Sequence, residues 1–385
     1  AAWDETPTLR GLRLHGPREL LQQYHTPGQY LELVHDEAGS GYFALDVSNP
    51  RGLTEAGLAS KLKWEFPAAG DAATQAKVGQ TLGRPVFVKT EKDGYVVLVS
   101  SGYNSSASGG RLWMLNADTG AVIQEFVVAA GTSGSEVGLA HVVAFGETNG
   151  TVRYAYGGDL LGNLWRFDLD KKDAPAKMAT LLGPDGTAQP VTAAPELMFR
   201  DGKRIVFVGT GRLMDITDFG NAKVQSIYAI ADVDGAATLV NARTSLVKQT
   251  YNRASDTMSE NKVDWATQRG WYFDIPAGEQ INTRPTLAYG GLAFVSNVNG
   301  KTDCSANSYL YVVDALEGKK FSGAKFVATA VSQTSTSSGV TALLTTGQKI
   351  VGAGQDADGK PWERDITSGS PILPGKNAWM EIRRQ

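Results

Sequence analysis

Apolar and polar positions alternate with period two in one short segment after another along this 385-residue chain, the mark of half-buried β-strands. The segments share an ending: an aromatic strand runs into Asp or Asn and then into a turn. Gly41-Tyr42-Phe43-Ala44-Leu45-Asp46 is the first copy, and Arg111-Leu112-Trp113-Met114-Leu115-Asn116 with its turn Ala117-Asp118-Thr119-Gly120 is the second. Asn163–Asp168, Ser226–Asp232, Gly270–Asp274 and Tyr309–Asp314 continue the series, and Asn377–Ile382 closes it as a seventh. The copies recur at intervals of roughly 40 to 70 residues, at or beyond the upper end of the periods of repeat folds. Uneven spacing of this kind predicts loop insertions between repeats, not a different architecture.

Ahead of several copies stands a second strand signal rich in β-branched residues: 95–102, 204–211 and 291–297. Ahead of these come segments led by Pro85, Pro195 and Pro285. Pro is placed at the first strand position, where a missing N–H is tolerated. Strand, hairpin, strand, turn, strand is the plan of a propeller blade. The pattern predicts an all-β chain, a single β-propeller domain over 1–385. Helical signal is thin. Residues 18–24 could form two turns, and no amphipathic repeat of twelve residues or more exists. Long loops are expected near 127–140, 235–265 and 325–345. The last contains the Ser/Thr-rich run 332–339 and is read as a surface segment.

Composition adds exclusions. The 44 glycines suit many tight turns, and the formal net charge is −3. No sustained Lys/Arg run is present, which gives nucleic-acid binding little support. No window is apolar for the ~20 residues that a spanning helix needs. The opening Ala1-Ala2-Trp3-Asp4 lacks the features of a signal peptide and reads as an internal starting point. Cys304 is the only cysteine, so an intrachain disulfide is excluded, but the compartment is left open.

Catalytic chemistry is hard to find. The four histidines, His15, His25, His35 and His141, form no pair at metal-ligand spacing. Cys304 has only Lys301 nearby to activate it and reads as a bystander thiol. Gly209-Thr210-Gly211 follows a strand but opens no helix, so it fails the context test for dinucleotide binding. The Ala117-Asp118-Thr119-Gly120 turn has a structural explanation in which Asp caps the backbone and Gly takes a positive φ. No catalytic residue and no cofactor is assigned, and the chain is expected not to be an enzyme.

The run 157–169, Gly-Gly-Asp-Leu-Leu-Gly-Asn-Leu-Trp-Arg-Phe-Asp-Leu, resembles the signature of the C-terminal propeller of the PilY1/PilC family. These are type IV pilus biogenesis factors and tip-associated adhesins. Gly39–Val47, Ser101–Asn104 with Leu112–Gly120, Gln189–Glu196, Val208–Arg212, Arg269–Asp274 and Trp379–Glu381 follow in the family's order, so the resemblance covers nearly the whole chain. It implies a seven-bladed, modified quinoprotein-like propeller that is the C-terminal part of a larger exported protein. It also implies periplasmic transit, a place at the outer membrane or cell surface, and support of pilus extension against retraction. The implied partners are minor pilins or the pilus tip, and a host-cell surface receptor. Loops near 104–109, 131–140, 214–223 and 299–307 are the candidate contacts.

Family members often carry a calcium loop just before the Gly-Asp-Leu run. Here Glu147, Asn149 and Thr151 keep the alternation of oxygen ligands, but only one is a carboxylate. Arg153, a permanent cation, stands where the last acidic ligand is expected. Ca²⁺ takes six to eight oxygens, and a guanidinium offers none. The loop is therefore read as a degenerate calcium site, a metal-free hairpin turned by Asn149-Gly150. The acid pairs Asp232/Asp234 and Asp356/Asp358 are read as solvated turns. The rival reading is a quinoprotein-like or glycan-binding propeller acting on a small molecule. The cysteine pair of alcohol-dehydrogenase-type quinone sites is absent from it.

Overall fold

The computed structural model describes residues 41–46, 57, 59–105, 107, 109–128, 137–147, 149–300, 306–346 and 349–367. The chain divides into two compact units, residues 1–159 with 165–176, and residues 160–164 with 177–385.

In the first unit, β1 (Tyr42–Leu45) pairs antiparallel with β2 (Leu62–Phe66). The next sheet takes its strands in chain order: β3 (Val86–Thr90), β4 (Gly94–Ser100), β5 (Arg111–Asn116) and β6 (Val122–Val127). A further sheet runs through β7 (Val142–Ala144), β8 (Tyr154–Gly158), β9 (Asn163–Asp168) and β10 (Ala176–Thr180). β7, β8 and residues 165–168 of β9 fall within the first unit. One buried cluster joins the first two of these sheets: Tyr42, Trp64, Phe66, Val97, Val99, Trp113 and Leu115. A central strand is buried on both faces, so it loses the alternation that an outer strand keeps. Thus β5 is buried from Leu112 to Leu115, whereas β3 alternates, with Phe87 and Lys89 exposed and Val88 and Thr90 buried.

The second unit holds residues 163–164 of β9 and 177–180 of β10, and then β11 (Glu196–Arg200), β12 (Lys203–Gly209) and β13 (Ser226–Asp232). After β13 the chain makes a long excursion before β17 (Gly270–Asp274), which pairs antiparallel with β13. The excursion holds a one-turn helix α1 (Ala242–Ser245) and β14 (Val247–Gln249), which adds to β17 in parallel. It also holds a hairpin of β15 (Tyr251–Asn252) and β16 (Thr257–Met258). The sheet order is β11-β12-β13-β17-β14. β18 (Thr286–Ala288), β19 (Gly291–Asn299), β20 (Ala306–Asp314) and β21 (Ala328–Ser332) form the next sheet. β22 (Ser337–Thr346), β23 (Lys349–Asp356) and β24 (Pro361–Asp365) form the last.

Six repeat copies therefore become β1, β5, β9, β13, β17 and β20, while the seventh, at Asn377–Ile382, lies outside the described residues. Copies four and five are corrected: they are neighbouring strands of one sheet, not two blades, because the excursion separates partners that pair in space. The expected loop at 235–265 is partly helix and strand. The expected surface loop at 325–345 is mostly β21 and β22, with Ser335 and Ser337 buried. Asn297 satisfies that run: its Oδ1 accepts from the Ser337 amide at 2.7 Å, and its Nδ2 donates to the Ser337 carbonyl at 3.0 Å. The prolines also shift by one place, since Pro85, Pro195 and Pro285 stand just before β3, β11 and β18. Of the loop expected at 127–140, residues 129–136 lie outside the described residues, as does the short helix expected at 18–24.

One turn recurs with one geometry. The Oδ1 of Asn116, Asp168 and Asp314 each accepts from the amides two and three residues on, at 2.9–3.2 Å. The residue four positions on closes the turn in the left-handed region: Gly120 at φ +69°, Lys172 at +58° and Gly318 at +66°. In the first of these turns the cap is Asn116, not the Asp118 expected from sequence; Asp118 instead faces Lys63 at 3.8 Å. Two of the turns also receive a tryptophan from the preceding sheet. Trp64 Nε1 donates to the Ala117 carbonyl at 2.9 Å, and Trp271 Nε1 donates to the Ala315 carbonyl at 3.1 Å. A Cβ built on Gly120 would lie 2.6 Å from the Trp64 ring, and one on Gly318 would lie 2.6 Å from the Trp271 ring. Glycine is thus required twice over, by the backbone and by the indole lying on it.

Candidate functional site

The expected degenerate calcium loop is a closed hairpin in the first unit. The Glu147 amide donates to the Thr151 carbonyl at 2.7 Å, and the Gly150 amide returns to the Glu147 carbonyl at 2.9 Å, with Gly150 at φ +77°. Asn149 Oδ1 accepts from the Thr151 amide at 3.0 Å and from its hydroxyl at 2.7 Å. Two of the three candidate oxygens are thus bonded to each other. Arg153 turns its guanidinium to Asp168, 3.1 Å away, and lies over the Tyr154 ring at 4.8 Å. Arg166 lies over the same ring, also at 4.8 Å. One free carboxylate beside an Arg–Asp pair does not fit a cation that takes six to eight oxygens.

The other acidic turns are likewise occupied. Arg204 joins Asp232 and Asp234, each at 3.0 Å. Asp356 Oδ1 accepts from the Asp358 amide at 3.1 Å and the Lys360 amide at 2.8 Å. Among the described residues, no three His, Cys, Asp or Glu side chains converge closely enough to hold a metal ion. His141 is largely enclosed, and burial, reinforced by Arg84, holds its imidazole below the ordinary range. Cys304 and the other three histidines lie outside the described residues.

Of the four candidate contact loops, 214–223 is described from end to end, whereas the other three each include residues outside the description. In the first unit Asn104 takes a left-handed conformation, φ +56°, and donates to Gln80 at 2.9 Å. Val137, Leu139 and Ala140, at the end of the 131–140 loop, are buried. The 214–223 loop carries two exposed apolar side chains, Met214 and Ile216.

Sequence reasoning missed a dense polar cluster in the second unit, under the β15–β16 hairpin. Arg253, at the hairpin tip, ion-pairs with Glu279, donates to Tyr311 Oη at 2.6 Å and lies 3.9 Å over the Tyr309 ring. Glu279 also accepts from Tyr311 Oη at 2.7 Å and from the Ser296 hydroxyl. Its side chain is 4% exposed, and burial pushes its carboxyl up despite these donors. Asp256, three residues after Arg253, accepts from the Val327 and Ala328 amides at 3.0–3.2 Å. The hairpin thus clasps the β18–β21 sheet with one cation and one anion. The only sequence signal was a pair of opposite charges inside a segment read as loop.

Sheets built from consecutive antiparallel strands, with indoles docked on the turns of the following sheet, define a β-propeller. The PilY1 beta-propeller domain family matches residues 33–262, more than half of the chain. The chain belongs to that family. A type IV pilus biogenesis factor PilY1 homolog of Xylella fastidiosa is 26% identical over 373 residues, covering 86% of this chain and 25% of that protein. The Pseudomonas aeruginosa type IV pilus biogenesis factor PilY1 is 26% identical over 343 residues, covering 74% of this chain and 28% of that protein. The chain therefore spans about a quarter of the length of these relatives. The crystal structure of the Pseudomonas aeruginosa PilY1 C-terminal domain superposes with a TM-score of 0.64 at 22% identity, covering 87% of this chain and 78% of that one.

Proposed function

We propose that this chain is the propeller portion of an exported type IV pilus biogenesis factor, acting through protein contacts and not through catalysis. The observation that carries this reading is the family match across 33–262, together with relatives named as pilus biogenesis factors. The relatives' names supply the pilus; the architecture supplies the manner of action. Sheets tied by Trp–turn docking and by the Arg253 clasp make a stiff support, and such a support holds its connecting loops in fixed positions for a partner. Its partners are pilus subunits at or near the tip, and through them a host surface. Its effect is to favour pilus extension over retraction.

Small-molecule chemistry draws less support. Trp64, Trp113, Trp165, Trp271 and Trp362 are buried, so they are committed to packing and not offered to a sugar. The Glu147–Arg153 hairpin works without calcium, because the Arg153–Asp168 pair takes the role that a bound cation would have beside it. Deleting the coding region for these 385 residues in the host tests the reading. Loss of surface pili and twitching is expected, with surface pili, but not twitching, restored in a strain that cannot retract its pili. Unchanged piliation and twitching would overturn it, and a thermal shift with pyrroloquinoline quinone or a glycan would favour the small-molecule rival.

A further inference from the structure

The loop between β12 and β13 holds two apolar side chains in water on a backbone that is firmly braced. Ile216 is 76% exposed and Met214 is 38% exposed. A single exposed apolar residue needs no explanation, but this pair stands on a platform that leaves the loop little freedom. The Asp218 carboxylate accepts from the Met214 amide at 2.9 Å and the Asp215 amide at 3.0 Å, and it pairs with Arg212 at 3.2 Å. Asp215 Oδ1 accepts from the Thr217 amide at 2.8 Å, completing a reciprocal cap on the turn Ile216–Asp218. Bracing also comes from outside the loop. The Arg212 amide donates to Gln280 Oε1 at 3.0 Å, and the Gly220 amide donates to the Asn299 carbonyl at 2.9 Å.

A loop ordered in advance loses little further freedom when it binds, so a single apolar side chain on it can act as an anchor. The charge beside the anchor narrows the partner. Asp215 is exposed, and the Thr217 amide and hydroxyl hold its carboxyl below the ordinary range, so the apolar tip carries a fixed negative charge. A complementary surface has an apolar pocket with cationic or amide donors on its rim.

We propose that Ile216, with Met214 beside it, is an anchor that inserts into an apolar, basic-rimmed pocket on a type IV pilus subunit. The inference rests on the pilus reading above. The test is co-sedimentation of the full-length protein with pili sheared from a strain that lacks it. Wild type is expected to sediment saturably, Ile216→Leu to bind nearly as well, and Ile216→Asp to bind at least tenfold more weakly with an unchanged unfolding midpoint. Val240→Asp, at a site 79% exposed in the same unit, is expected to bind like wild type. Equal binding by Ile216→Asp would overturn the anchor while leaving the pilus reading intact. Equal losses in Ile216→Asp and Val240→Asp would also overturn the anchor, since charge alone would then explain them. If wild type itself fails to sediment, the anchor falls together with the pilus reading.

Discussion

Replacing Arg253 by Met keeps the aliphatic stem over Tyr309 but removes the charge that Glu279 faces. Losing one partner of a fully buried ion pair costs about 3–5 kcal/mol. The Arg253 side chain is 34% exposed, so solvent screening lowers this. The expected loss for Arg253→Met at pH 7 is about 2–3 kcal/mol, read as a shift of the urea midpoint at constant slope. Arg253→Met/Glu279→Gln removes both charges and should recover part of that loss, giving a non-additive cycle. The pH dependence is a second check. Burial raises the Glu279 carboxyl above its ordinary range, against the opposing pull of Ser296, Arg253 and Tyr311. A raised folded-state value stabilises through the protonated form. That contribution is complete below the unfolded value of ~4.3 and is lost as the pH rises through the folded value. Without Arg253 the ionised form loses its cation and the carboxyl rises further. The Arg253→Met penalty should therefore be larger at pH 8 than at pH 5. An Arg253→Met protein as stable as wild type at both pH values would refute the clasp.

Gly318→Ala should cost about 2–4 kcal/mol, because left-handed strain adds to overlap with Trp271 2.6 Å away. Gly150→Ala, with a similar φ but nothing within 4 Å, should cost only about 1 kcal/mol in the same unfolding assay. In Asp274, burial alone would raise the carboxyl. The Arg243 guanidinium, at 2.6 and 2.7 Å, and the Ser226 hydroxyl outweigh burial and hold it low. That contribution is present above the unfolded value of ~3.9 and is lost as the pH falls through the folded value. Asp274→Asn should therefore cost about 3 kcal/mol at pH 7 and progressively less below pH 4, followed by urea titration at each pH. Calcium should leave the unfolding temperature unmoved. A site held at a hundredfold excess over its Kd would add about 2.7 kcal/mol, and a rise of that size would refute the calcium-free reading of the Glu147–Arg153 hairpin.

Strand positions were legible in the sequence because the signal for a strand is local. Period-two alternation and a turn residue at the end depend only on near neighbours, and they located β1, β5, β9, β13, β17 and β20. The positions of the turns were legible for the same reason, though not that Asn116, and not Asp118, caps the first of them, and so was the hairpin at Asn149-Gly150. Pairing was not. Nothing within reach of β13 says that its partner is β17 and not the next strand in the chain, because sheet register is settled by contacts between distant residues. The run 332–339 looked like loop because Ser and Thr are polar; residues 333–336 are indeed outside the strands, but Ser337 is satisfied by Asn297 and by the Gln355 carbonyl of β23, and there β22 begins. The same limit hid the Arg253 clasp and the docking of Trp64 and Trp271 on glycines about fifty residues on. It also hid the bracing that leaves Ile216 in water. Local chemistry decided which segments became strands and turns. The tertiary structure decided which of them met, because burial, charge pairing and exposure belong to surroundings assembled from the whole chain.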